Sequence, residues 1–184
     1  MAIKKTSKEE ILKNSIKLFK INGYYNTSMA NIASACGLIK GSIYHHFKSK
    51  DEIGLESLKY IHKFFEENIF NVAYLDNMTD KEKIKLFVKK TNDYVLHSEG
   101  GCLLGNLALE VSSQNMLFKD EIRAYFLAWE KALAFILKKK YGNDVALSLA
   151  KEYVALTQGS IMMMTLYNER ENYLKVGQKI INSV

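Results

Sequence analysis

Residues 27–47 read TSMANIASACGLIKGSIYHHF. Thr27 or Ser28 can cap a helix whose inner face is Met29, Ile32 and Ala33, and Cys36-Gly37 ends it. A second short helix follows over about 39–46. Two helices joined by a tight glycine-containing turn make a helix-turn-helix, in which the second helix enters the DNA major groove. The residue types fit that task. Thr27 and Ser28 sit at a helix start, where hydroxyls and free backbone N–H groups hold a phosphate. Lys40, Ser42 and His45 carry donors at helical spacing, and Gly41 permits a close approach to DNA. Tyr44 and His46 reach toward phosphates at the groove edge, and Lys48 and Lys50 add positive charge where the next helix begins.

Charge supports this reading. The 184-residue chain has a net charge of +6. Residues 1–50 hold nine lysines against Glu9 and Glu10, a net +7, whereas residues 51–184 carry 17 bases and 18 acids, a net −1. A solvated basic tail would carry such charge, but this segment has the apolar pattern of a folded one. A folded basic lobe on a near-neutral body is the electrostatic footprint of a nucleic-acid binder.

The rest of the chain reads as all-α, with about nine helices. Proline is absent, and no stretch alternates with a strand period. Ser7-Lys8-Glu9-Glu10 is a capping box that starts helix 1, which Asn22-Gly23 ends. Ser49-Lys50-Asp51-Glu52 is another; it starts a helix with Ile53, Leu58, Ile61, Phe64 and Phe65 as its buried stripe, reaching toward Tyr74. Further helices are predicted over about 81–97, 102–112, 117–140, 143–167 and 170–182. Lys138-Lys139-Lys140 suits the C-terminal end of a helix dipole.

Several function classes fall away. No run of about 18 apolar residues suggests a membrane span, and MAIKKTSKEE lacks a signal-peptide core, so a cytoplasmic protein is expected. Cys36 and Cys102 form neither a disulfide framework nor a zinc pattern. None of His45, His46, His62 or His97 has a glutamate three residues before it, as a di-iron helical bundle needs. Walker, H-E-x-x-H and G-x-S-x-G motifs are absent. No enzyme activity, metal or cofactor is expected. A helical ligand- or protein-binding module without specific DNA binding remains the alternative to a regulator.

The stretch YNTSMANIASACGLIKGSIYHHFKSKDEI resembles the signature of the tetracycline-repressor (TetR/AcrR) family over about residues 7–60. Gly23, Tyr24, Thr27, Ile32, Ala33, Gly37, Gly41, Tyr44, Phe47, Lys50 and Leu55 fall in or near register. Three positions depart from the pattern: Asn31 stands where an acid is common, Cys36 where Ala is usual, and Ile39 where Ser or Thr opens the recognition helix. The resemblance implies a three-helix DNA-binding domain over 1–50 and a larger helical effector-binding and dimerisation domain over 51–184. It implies a homodimer through the last two helices, a palindromic operator on double-stranded DNA, and a small-molecule effector that releases a repressor. An activator would need the same DNA contacts.

The body offers candidates for the effector pocket: Phe65, Tyr94, Cys102, Tyr125, Trp129 and Met163. Aromatic rings and methionine line adaptable pockets, and they also make ordinary cores. Met162, Met163 and Met164 point in three directions on a helix, so at most two share a pocket. Cys102 lies in EGGCLLGN at a helix start, where a thiol pKa is lowered. That segment is similar to the GGC-L stretch of some TetR-family regulators, including ones that sense electrophiles. Cys102 is therefore either a sensor thiol or a small packing residue.

Overall fold

The structure, a computed structural model, describes residues 7–111 and 115–184. Nine α-helices and one 3₁₀ segment form among the described residues. They are α1 (Lys8–Asn22), α2 (Met29–Ala35), α3 (Lys40–Tyr44), α4 (Lys50–Asn68), the 3₁₀ segment Phe70–Tyr74, α5 (Asp80–Leu96), α6 (Leu103–Val111), α7 (Met116–Tyr141), α8 (Asn143–Tyr167) and α9 (Glu171–Ile181). Position 112, the expected end of α6, lies outside the described residues.

Local chemistry sets these bounds. The Ser7 hydroxyl accepts the Glu10 amide at 3.1 Å and opens α1. Thr79 opens α5 through a reciprocal capping box with Glu82. The Ser49 hydroxyl accepts the Glu52 amide at 3.1 Å at the head of α4, and the Glu52 carboxylate reaches back to the Lys48 amide. Gly100 and Gly101 both take left-handed φ values, +76° and +73°, a turn that a side chain would strain. The stretch up to Tyr74 does not continue α4: the helix ends at Asn68 and the chain tightens into the 3₁₀ segment, which buries Phe70, Val72 and Ala73.

The chain divides into two compact units. One comprises Met1–Ile61 and Leu103–Ile122, the other His62–Cys102 and Arg123–Val184. In the first, Ile11, Phe19, Ile32, Ile43, Phe47, Ile53, Leu58, Leu104, Leu107 and Phe118 are buried. Each such side chain contributes about 1.5–3 kcal/mol. Tyr24 lies at the centre of an aromatic contact in this unit, 5.3 Å from the Phe19 ring and 5.2 Å from Phe118. In the second unit α9 packs on α8 and α5, around buried Phe87, Trp129, Leu133, Tyr153, Ile161, Tyr173 and Ile180. Phe64 departs from the expected α4 stripe: it is partly exposed and lies against Tyr94, ring centroids 5.5 Å apart.

Gly54 of α4 is required by packing rather than by backbone conformation. A Cβ there would collide with the Phe118 ring and come within 2.9 Å of Tyr24 Cε2. Gly54→Ala should therefore destabilise the fold by about 1–3 kcal/mol despite the better helix propensity of alanine. Chemical denaturation checks this, with Gly41→Ala as the control, since a Cβ there meets nothing within 4 Å.

Candidate nucleic-acid interface and aromatic cage

The helix-turn-helix is built from caps and one buried wedge. Ser28 caps α2, its hydroxyl accepting the Asn31 amide at 3.2 Å. Asn31 Oδ1 accepts from the Ser28 amide at 2.9 Å and from its hydroxyl at 2.6 Å. An uncharged amide thus closes the capping box where an acid is common. After α2 the Cys36 and Leu38 amides donate to Ala33 O, and Gly37, at φ +67°, turns the chain. Ile39 precedes α3 without a side-chain cap and is 77% exposed.

The recognition helix is shorter than 39–46. α3 covers Lys40–Tyr44, and the His46 and Phe47 amides both return to Ile43 O, so His45 and His46 lie in the turn that follows. Five residues would not hold a helix in water. Ile43 and Phe47, both buried, hold this one in place. Lys40, Gly41, Tyr44, His45 and Lys48 are exposed, and Ser42 and His46 are half-buried. The arrangement presents donors on a basic surface.

Two expected DNA-binding residues are used inside the unit. Thr27 is fully buried, and its hydroxyl donates to Gly23 O at 2.7 Å. The exposed hydroxyl at the start of α2 belongs to Ser28. Lys50 is half-buried; its Nζ donates to Tyr24 O at 2.9 Å and lies 4.3 Å from the centre of the Tyr24 ring. Cys36 accepts from Asn14 Nδ2 at 3.6 Å, and burial pushes its thiol pKa up.

In the second unit Phe65, Tyr94, Tyr125 and Trp129 do converge. Phe65 lies 4.7 Å from Tyr94, 5.3 Å from Tyr125 and 6.1 Å from Trp129, ring centre to ring centre. Phe70 completes this cage at 5.6 Å from both Phe65 and Tyr125. The sequence reading missed Phe70, because the 3₁₀ segment breaks the helical period that would have aligned it. Cys102 packs with Tyr94, Leu96 and Met164 against Val95, Ile161 and Tyr173. The methionine on this side is Met164 and not Met163. Met163 is 38% exposed and lies in a groove of about 490 Å³ with Leu156, Gly159, Tyr167 and Val176.

Burial raises the hydroxyl pKa of Tyr125 and of Tyr173, with a lesser contribution from Cys102 in each case. Neither hydroxyl has a hydrogen-bond partner among the described residues. A cavity of about 20 Å³, lined by Phe87, Thr91, Trp129, Thr157 and Tyr173 among others, holds roughly one water. Among the described residues no cluster of His, Cys, Asp or Glu is placed to hold a metal ion. No helix there is long and apolar enough to cross a membrane.

Known proteins match both parts of the chain. Residues 11–56 match the family of bacterial regulatory proteins called the tetR family. Residues 81–179 match the C-terminal domain of LmrA/YxaF-like transcriptional regulators. The HTH-type transcriptional regulator YxaF of Bacillus subtilis is 28% identical over 179 residues, covering 95% of this chain and 93% of that protein. The HTH-type transcriptional regulator LmrA of the same organism is 25% identical over 162 residues, 85% of each. A crystal structure of a TetR transcriptional regulator from Legionella pneumophila superposes with a TM-score of 0.88 at 26% identity and covers 100% of both chains.

Proposed function

Because the chain belongs to the TetR family of transcriptional regulators, with an LmrA/YxaF-like C-terminal domain, we propose that it is a homodimeric repressor released from a palindromic operator by a small molecule. The observation that carries this reading is the surface of α3. Lys40, Ser42 and Tyr44 project from a helix wedged in place by Ile43, within the segment that holds the chain's whole positive excess. Residues 1–50 bind DNA and residues 51–184 bind effector and partner. Lys40, Ser42 and His45 meet base edges, and Gly41 lets the backbone approach. Ser28, Tyr44, His46 and Lys48 hold phosphates. Thr27 and Lys50 act from behind by fixing the turn before α2. The protein works in the cytoplasm, where its operator lies.

Lys40→Ala, which loses a base contact, or Tyr44→Ala, which loses a phosphate contact, should lower operator affinity about tenfold, while the dimer persists. Fluorescence anisotropy with sedimentation checks both; unchanged affinity in either variant would remove α3 from the interface.

The dimer forms through α8 and α9. Supporting this, α8 and α9 leave Leu156, Met163, Tyr167 and Leu174 exposed, and apolar faces of this kind mark protein contacts. Met163→Asp should give monomers at micromolar concentration by analytical ultracentrifugation. A dimer of wild-type stability would place the interface elsewhere.

The effector enters at the aromatic cage. A groove of about 560 Å³ lined by His62, Phe70, Tyr74 and Leu127 borders the Phe70 edge of the cage and gives the effector its entry. Cys102, beside the cage at the head of α6, makes that effector an electrophile. N-ethylmaleimide should release operator DNA from a Cys36→Ser variant and leave it bound by a Cys36→Ser/Cys102→Ser variant. Equal release from both would exclude the thiol as the sensor.

A further inference from the structure

The turn between α1 and α2 is held by a side chain far away in sequence. After α1 the chain runs Gly23-Tyr24-Tyr25-Asn26 before Thr27. The Tyr24 and Tyr25 amides lie beyond the helix, and both donate to one carboxylate, that of Glu110 in α6. Tyr24 N lies 2.9 Å from Glu110 Oε2 and Tyr25 N lies 2.7 Å from Oε1. These are two charge-assisted bonds, each stronger than a neutral one. Glu110 is half-buried and shares the inward face of α6 with Leu103 and Leu107, seven and three residues before it along the helix.

The same turn leads directly to the DNA-facing end of α2. The Tyr24 carbonyl accepts from the Thr27 amide at 3.2 Å, and the Thr27 hydroxyl returns to Gly23 O. Ser28, the next residue, caps α2. A rigid path therefore runs from Glu110 through Tyr24 and Thr27 to the helix start that meets the phosphate backbone.

We propose that Glu110 is a positioning residue for DNA binding: its carboxylate fixes the turn that sets Ser28 and the N-terminus of α2. The proposal rests on the DNA-binding reading above. Its chemistry is specific. The carboxylate meets the two adjacent backbone donors with one oxygen each. A glutamine side chain offers one acceptor and turns its own N–H donors toward the second amide. Without the clamp the turn must be ordered at the moment of binding, which costs affinity.

The test is Glu110→Gln in the full-length protein, read in two ways. Amide hydrogen exchange should accelerate at Tyr24 and Tyr25, and operator affinity should fall on the order of tenfold, with helicity and dimerisation kept. Unchanged exchange at both amides, or faster exchange with wild-type operator affinity, would overturn the proposal. If Glu110→Gln does not fold, Glu110→Asp gives the same reading. It keeps both oxygens one methylene further back, and a smaller loss of the same sign is expected. A wild-type protein that binds no DNA defeats the DNA-binding reading and this proposal with it. A wild-type protein that binds, with both variants equal to it, defeats the proposal alone.

Discussion

Tyr24 is the joint on which the first unit is built. Its ring is buried against Phe19 and Phe118. Its hydroxyl donates to the Asp51 carboxylate, its carbonyl takes the Lys50 ammonium, and its amide gives to Glu110. Every polar atom of a buried residue is thereby satisfied, which is the condition for burying it at all. Burial and the hydrogen bond to Asp51 both raise its hydroxyl pKa, so the neutral phenol persists well above the ordinary tyrosine range. Its contribution to stability is complete below the unfolded pKa and is lost only as pH rises past it. Gly54 exists in α4 because this ring and Phe118 leave no room for a Cβ.

That joint explains how a five-residue recognition helix can be rigid. α3 has no side-chain cap and too few residues for intrinsic stability. It is held by Ile43 and Phe47 from within, and α2 beside it is aligned by the turn that Tyr24 fixes. Thr27, Lys50 and Glu110 all bond within this turn, and we propose that DNA affinity depends on them without their touching DNA. The second unit differs: among the described residues the buried hydroxyls of Tyr125 and Tyr173 have no hydrogen-bond partner. An unpartnered buried hydroxyl costs about 1–3 kcal/mol, a cost that a polar ligand atom removes.

Helix starts were legible at Ser7 and Ser49, where a hydroxyl precedes an acid by three residues; at α2 the choice between Thr27 and Ser28 stayed open, and the Thr79–Glu82 box that opens α5 carried the same signal without entering the expectation. The helix-turn-helix and the basic lobe were legible too, because local spacing and charge determine them. What spacing did not convey is which way each polar group turns. Thr27 and Ser28 are neighbours with similar side chains, yet one is buried and the other exposed, and only the return of the chain to Gly23 O decides between them. Met163 and Met164 differ by about 100° around α8, enough to put one in a surface groove and the other beside Cys102. Phe70 was hidden by a change from α to 3₁₀ geometry. Glu110 was hidden more deeply: it is a single acid in an apolar helix, and its partners lie 85 and 86 residues away. The compact units themselves combine separated segments, 103–122 folding with the N-terminal helices, an arrangement with no local signal.

We propose that this surface recognises a specific DNA site. The most direct measurement is to capture sheared DNA from the source genome on the purified full-length protein at moderate salt and to sequence what is retained. Enrichment of one or a few palindromic sites is the expected result. Retention without any shared sequence, by a protein that is dimeric and fully folded, would contradict it and favour a helical binding module with no operator.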